Sequence, residues 1–255
     1  MLHITTYYLV AIPAAALLGL SKGGFAGLGT LALPIMALAI SPITAAAIML
    51  PLLVVSDWVS VWAFRQNYSV RNVMILVPAS MIGVMLGWLL AARVSEDVVR
   101  LAVGLISILF VLYMIARDRL GVGVVENPSV PSGVIWGSVT GFTSFVSHSG
   151  APPFQIYVMP QKLSPTIYAG TSTIVFATIN MLKVPPYFFL GQLSPQNLIA
   201  SVWLMPVAIC SALGGVWLVR RVSSDRFYAI ILVLTFLIGA KLTWGATLLL
   251  LPNAH

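Results

Sequence analysis

The sequence predicts an all-α membrane protein made of two inverted repeats, each a broken or re-entrant helix hairpin followed by three transmembrane helices. Three observations predict this class. Of the 255 residues, 60% are hydrophobic and only 7% are charged, with a mean hydropathy of +1.02; soluble domains carry about 25% charged residues. The charges cluster, and between them lie apolar runs of roughly 20 residues, the length of helix that crosses about 30 Å of hydrocarbon. The third observation is a similarity between the two halves of the chain.

Taken in order, the start MLHITTYYLV lacks the basic residues of a signal peptide and is expected to stay as a first segment. Residues 4–20 and 25–40 form a first broken pair, followed by long helices at 43–64, 72–92 and 98–116. The longest polar loop, residues 117–131, leaves no room for a soluble domain. A second broken pair, 133–146 with 153–160, precedes helices at 165–190, 197–219 and 227–251. The segment 153–160 would be about 12 Å of helix, too short to cross, and is expected to be half of a re-entrant hairpin. The expected organisation is a first repeat at 1–120, a connecting loop at 121–131 and a second repeat at 132–255.

The repeat can be checked letter by letter. SPITAAAIMLPLLVVSD (41–57) lies over SPTIYAGTSTIVFATIN (164–180) without a gap, 123 positions apart, so that Asp57 falls on Asn180. GWLLAARVSED (87–97) lies over GVWLVRRVSSD (215–225), 128 positions apart. Ser-Pro opens both helices of the first match, as an N-cap followed by Pro at the first helical position. Two matches in one order, at nearly equal offsets, indicate duplication. Each unit makes an odd number of crossings, so the second should be inverted. Charge agrees. Inversion places Arg65, Arg71, Arg117, Arg119, Lys162, Arg220, Arg221 and Arg226 on one side and only Arg93 and Arg100 on the other. Parallel units of four spans would divide the same residues six to four. The larger bias favours inversion, with both termini outside the cytoplasm.

The stretch SKGGFAGLG (21–29) places a lysine and four glycines at membrane depth. Glycines there unwind a helix, and unwound backbone is tolerated only where it is buried or lines a watery cavity. The next helix, starting near Phe25, would aim free N–H groups and its positive dipole end into the gap. Lys22 adds a full charge, and Gly23 and Gly24 allow close backbone approach. The same glycines also suit close helix packing, with Lys22 snorkelling to the surface. The matching second break, GFTSFVSHSGAPPF (141–154), offers Ser144, Ser147, His148, Ser149 and Gly150 before a Pro-Pro start. Hydroxyls and a helix start suit oxyanion oxygens, and His148 can carry a proton. A satisfied interhelical hydrogen bond is the plainer role for that histidine.

Other ionisable residues inside the spans are Asp57, Lys183 and Lys241. Such residues are costly in hydrocarbon and are functional by default. Asp57 is expected to pair with Lys22, to carry a coupling proton, or to do both in turn. Asn180 and Lys183, three apart, share one helix face, and the Pro-Pro after them should bend the helix. Lys241 is assigned no role in the site. The tryptophans belong to the interfacial belt or to packing.

KGGFAGLGTLALPIMAL, then SPITAA and an Asp-Trp running into WAFR, resembles the TauE/SafE family, also called the sulfite exporter or TSUP family. The second half is similar too, with a Gly-containing break followed by YAGTSTIVFATINMLKVPPYFFLGQLS. One departure is SHSGAPP, where the family pattern is closer to Gly-Gly-Pro, and it bears on selectivity more than on fold. The resemblance implies an inner-membrane carrier of a small sulfur-containing anion such as sulfite, sulfoacetate or a related organosulfonate. The residues by themselves indicate only an anion-biased carrier. A passive anion channel is the nearest rival. An intramembrane enzyme is disfavoured, because SHSG does not bring a nucleophile and a base face to face, and no metal-ligand pair or carboxylate dyad is present. No cofactor or metal is expected. The expected partners are the anionic substrate and membrane lipid, with no nucleic acid; a homodimer is left open. Cys210 is the only cysteine, which excludes a disulfide within the chain.

Overall fold

In a computed structural model, described over residues 2–250 except 91, 92, 94, 122, 127 and 190, the protein is helical throughout. The described elements are α1 (Leu2–Lys22), α2 (Gly29–Met36), α3 (Pro42–Phe64), α4 (Val70–Leu90), α5 (Glu96–Arg119) and α6 (Val130–Ser147). They continue with α7 (Ala151–Val158), a 3-10 turn at Met159–Gln161, α8 (Pro165–Phe189), α9 (Pro195–Val219) and α10 (Ser224–Leu250). Six of these helices are long and apolar enough to cross a membrane: α3, α4, α5, α8, α9 and α10. Helix α7 has only 8 residues, too few to span hydrocarbon.

Sequence chemistry explains the element boundaries. Ser41, Ser129 and Ser194 each accept a hydrogen bond from a backbone N–H three residues on, with Pro in the first turn of each helix. The fixed φ of that proline and its missing N–H cost nothing there. Helix α8 continues to Phe189 across Pro185 and Pro186, so the carbonyls one turn earlier lack their usual helical donors. Helix α5 runs to Arg119, two residues past the expected loop start.

The helices form two compact units. Unit 1 comprises residues 1–70 and 165–223, and unit 2 comprises 71–164 and 224–255, so each draws on both halves of the sequence.

In unit 1, α3 touches α1, α2, α8 and α9. Its apolar core includes Leu18, Met36, Leu50, Leu52 and Leu204. Helix α3 runs antiparallel to α8. Asp57 meets Asn180 in mid-helix, while Phe64 and Asn67, at and just past the end of α3, abut Gly170 near the start of α8. A side chain at Gly170 would collide with the Asn67 carbonyl. Helices α1 and α9 run parallel in close approach: a Cβ on Gly19 would strike the Ala208 carbonyl, and one on Gly23 would lie 2.5 Å from the Cα of Gly215.

Unit 2 repeats both kinds of contact. Helices α4 and α6 run parallel, and a Cβ on Gly141 would strike the Ser80 carbonyl, as one on Gly83 would strike that of Ser138. Helices α5 and α10 meet antiparallel, Gly104 facing Thr243 and Gly239 facing Ser107. Thr235 donates to Gln155, Asn72 and Gln161 exchange amide hydrogen bonds, and Lys162 pairs with Asp118 at 3.2 Å.

Candidate functional site

The first break begins where α1 ends. Lys22 is the last residue of α1 rather than an interior residue of the break, and the next helix starts at Gly29, four residues later than Phe25. The cause is backbone conformation. Gly24 and Gly27 have φ of +127° and +119°, which no L side chain adopts comfortably, so turns fill residues 23–28. A Cβ on Gly24 would also lie 2.7 Å from Val219 Cγ2 and 2.9 Å from Ala169 Cβ.

Lys22 turns inward from this end. Its Nζ lies 2.8 Å from Asp57 Oδ1 and 5.5 Å from the centroid of the Phe176 ring, an attractive cation–π geometry. The other Asp57 oxygen, Oδ2, accepts a hydrogen bond from Asn180 Nδ2 at 2.6 Å. Lys183 is within electrostatic range of Lys22 and Asp57. Lys22 is 9% exposed, Asp57 2%, Asn180 3% and Lys183 1%. Lys22 and Asp57 form an ion pair buried from water, with Lys183 beside it, and charges so far from water need partners.

A cavity of about 350 Å³ lies beside this group, between α3 and α8. Asp57 and Thr178 are its polar members; Val54, Trp58, Val61, Ile174, Ala177 and Met181 supply the apolar walls.

The second break belongs to unit 2. It is short: α6 ends at Ser147 and α7 begins at Ala151. His148 sits in the left-handed region at φ 53°, and the next backbone N–H, that of Ser149, closes α6 by donating to the Thr143 carbonyl. The hydroxyls of Ser147 and Ser149 donate to the carbonyls of Thr143 and Ser147 at 3.0 Å each. Gly150 caps α7, and Pro152 and Pro153 occupy its first turn. This hairpin is buried and polar, with its hydroxyl protons held by its own backbone.

The structure thus brings Lys22, Gly23, Gly24, Asp57, Asn180 and Lys183 into unit 1, and Ser147, His148, Ser149 and Gly150 into unit 2. Among the described residues no three His, Cys, Asp or Glu side chains come together as a metal site. Among the buried polar residues that the sequence motifs do not mark are Ser56 and Ser60, both 0% exposed, on α3. The 123-position offset that lays Asp57 on Asn180 also lays Ser60 on Lys183, and applying it to the lysine would have found it. Phe176, beneath Lys22, carried no signal beyond its place in an apolar helix.

The family described as Sulfite exporter TauE/SafE matches residues 11–242, which include both breaks and every residue of the buried charge group. No curated protein and no solved structure matches the chain. With all but the two ends matched, and six helices able to cross a membrane, the chain belongs to the sulfite exporter TauE/SafE family of membrane transporters.

Proposed function

We propose that this protein is a secondary carrier that moves a small sulfur-containing anion, such as sulfite, sulfoacetate or a related organosulfonate, across the bacterial inner membrane by alternating access. Its two halves act as inverted repeats, both termini lie outside the cytoplasm, and Asp57 carries a coupling proton. The observation that carries the reading is the buried group of Lys22, Asp57, Asn180 and Lys183 beside a helix break. Broken helices near mid-membrane are where inverted-repeat carriers bind substrate and coupling ions. Lys22 and the unwound backbone at residues 23–28 attract the anion, Gly23 and Gly24 let that backbone pack closely on α9 and α8, and Asn180 and Lys183 complete this site within unit 1. At the second break, Ser147, His148, Ser149 and Gly150 offer hydroxyls and a helix start that suit an oxyanion. Asp57 repels the anion while ionised and releases Lys22 when it is protonated, which ties anion entry to proton arrival.

The helix contacts support the repeat. Helices α3 and α8, equivalent by sequence, run antiparallel and touch at the matched residues Asp57 and Asn180. The Gly19–Ala208 approach of α1 on α9 recurs as Gly141–Ser80 of α6 on α4. The offsets are 141 − 19 = 122 and 208 − 80 = 128, close to the 123 and 128 of the sequence matches.

Flux into proteoliposomes tests the reading. Saturable sulfite or sulfoacetate uptake with counterflow, accelerated by an inward proton gradient and uncoupled in Asp57→Asn, is the expected result. Flux linear in concentration would make the protein a channel, and a rate indifferent to the gradient would remove the proton from Asp57. Topology has its own test. In a Cys210→Ser background, needed because Cys210 is exposed, a cysteine placed in the 66–70 loop should label only from the cytoplasm. A cytoplasmic C-terminal reporter would overturn the inversion.

A further inference from the structure

Most buried hydroxyls of this protein are bonded within their own helix. Ser107, Thr140, Thr143, Ser147, Thr171, Ser201 and Thr235 each donate to the carbonyl four residues earlier, the ordinary refuge of a hydroxyl in an apolar helix. Ser56 of α3 does not, and neither does Ser60, whose side chain is fully buried and whose Oγ has no hydrogen-bond partner among the described residues. An unmet hydroxyl away from water is unfavourable unless something else fills the need.

The helix geometry says where that hydroxyl lies. At about 100° per residue, the cavity-lining residues Val54, Trp58 and Val61 fall to one side of Asp57 on α3, and Ser60 falls to the other. On α8, Ala177 and Met181 line the same cavity to one side of Asn180, while Phe176 and Lys183 fall to the other. Asp57 meets Asn180, and Phe64 meets Gly170, where an added Cβ would lie 3.1 Å from that of Phe64. Three residues along α3 from the first contact towards the second, Ser60 stands at the level of Phe176. That is the ring over which Lys22 Nζ rests, 2.8 Å from Asp57.

We infer that Ser60 is a binding residue for the transported anion: an oxyanion takes its charge contact from Lys22 and a hydrogen bond from Ser60 Oγ, with the Phe176 ring as the floor. This rests on the anion-carrier reading above and extends it to a residue that the sequence motifs do not mark. The chemistry selects the ligand class. A sulfite or sulfonate presents several oxygens, so one can meet the ammonium while another accepts from the hydroxyl; a halide has a single centre and gains less from the pair.

The test is sulfite and sulfoacetate uptake into proteoliposomes by wild type, Ser60→Ala and Ser60→Cys, with the thermal stability of each purified protein measured alongside. Ser60→Ala removes a hydroxyl that bonds to nothing in the described protein, so stability should hold. The half-saturation concentration should rise about tenfold, the value of one hydrogen bond to a charged group, and Ser60→Cys, a weaker donor of similar size, should fall between. Inhibition of uptake by chloride should be unchanged in Ser60→Ala. Saturable wild-type uptake that Ser60→Ala leaves unaltered would overturn the role of Ser60 alone. An equal loss of sulfite and chloride affinity would make Ser60 a general structural residue and overturn it too. Absence of saturable uptake in wild type would overturn the carrier reading, and this assignment with it.

Discussion

The two breaks solve the same local problem, ending one helix and starting another within a few residues, by opposite means. The first uses two glycines at strongly positive φ and takes six residues, 23–28. Its polar content is a charge, Lys22, matched across helices to Asp57, which is held in turn by Asn180. The second takes three residues, puts a histidine rather than a glycine in the left-handed region, and satisfies Ser147 and Ser149 within its own hairpin. One break is locally incomplete and depends on long-range partners; the other closes on itself. A ligand that brings charge has more to offer the first.

The largest effect should come from breaking the long-range pairing. Lys22→Met leaves a carboxylate 2% exposed without its nearest cation. Loss of one partner of a buried pair costs about 3–5 kcal/mol, read as unfolding free energy in detergent. Restoring most of it in Lys22→Met/Asp57→Asn would show that the orphaned charge, and not lost packing, is responsible. If the single variant is as stable as wild type, the first break does not depend on the pair, and the contrast between the breaks collapses.

Gly24→Ala comes next. The new methyl meets Val219 and Ala169 inside 3 Å, at a backbone φ of +127°. Strain and overpacking together should cost about 2–3 kcal/mol. In the second break the sign reverses. His148→Gly removes the side chain from a left-handed residue at φ 53°, where glycine is at ease, and stability should change by less than about 1 kcal/mol, towards gain. A loss of several kcal/mol in His148→Gly would mean that the contacts of the histidine outweigh the backbone gain, and the two breaks would then respond alike.

Much of this architecture was legible in the sequence because membrane helices announce themselves by length and charge exclusion. The six spans fall within three residues of expectation, with the longest shifts at the end of α5, where Arg117 and Arg119 continue the helix into the loop, and at the start of α10. The breaks were visible as glycine and Pro-Pro clusters. Their exact limits were not, because Lys22 can still close a helical turn and only the φ of Gly24 and Gly27 decides where α2 starts. The contact between Asp57 and Asn180 lay in the repeat alignment, where the two share one register. Ser60 and Phe176 did not stand out, since a serine and a phenylalanine in a hydrophobic helix look like any others until the neighbours are known. The two compact units, each mixing both halves of the chain, follow from pairings such as α1 with α9 that no local pattern encodes.

In the proposed mechanism Lys22 binds the transported anion, and its pair with Asp57 competes for that role. Sulfite counterflow into proteoliposomes, compared between Asp57→Asn and Lys22→Met/Asp57→Asn, tests it most directly, because neither protein carries an orphaned Asp57 carboxylate. Asp57→Asn should keep saturable counterflow, and the double variant, still folded, should need about ten to a hundred times more sulfite for half-saturation. Equal half-saturation in the two would contradict it and leave Lys22 as the structural partner of Asp57.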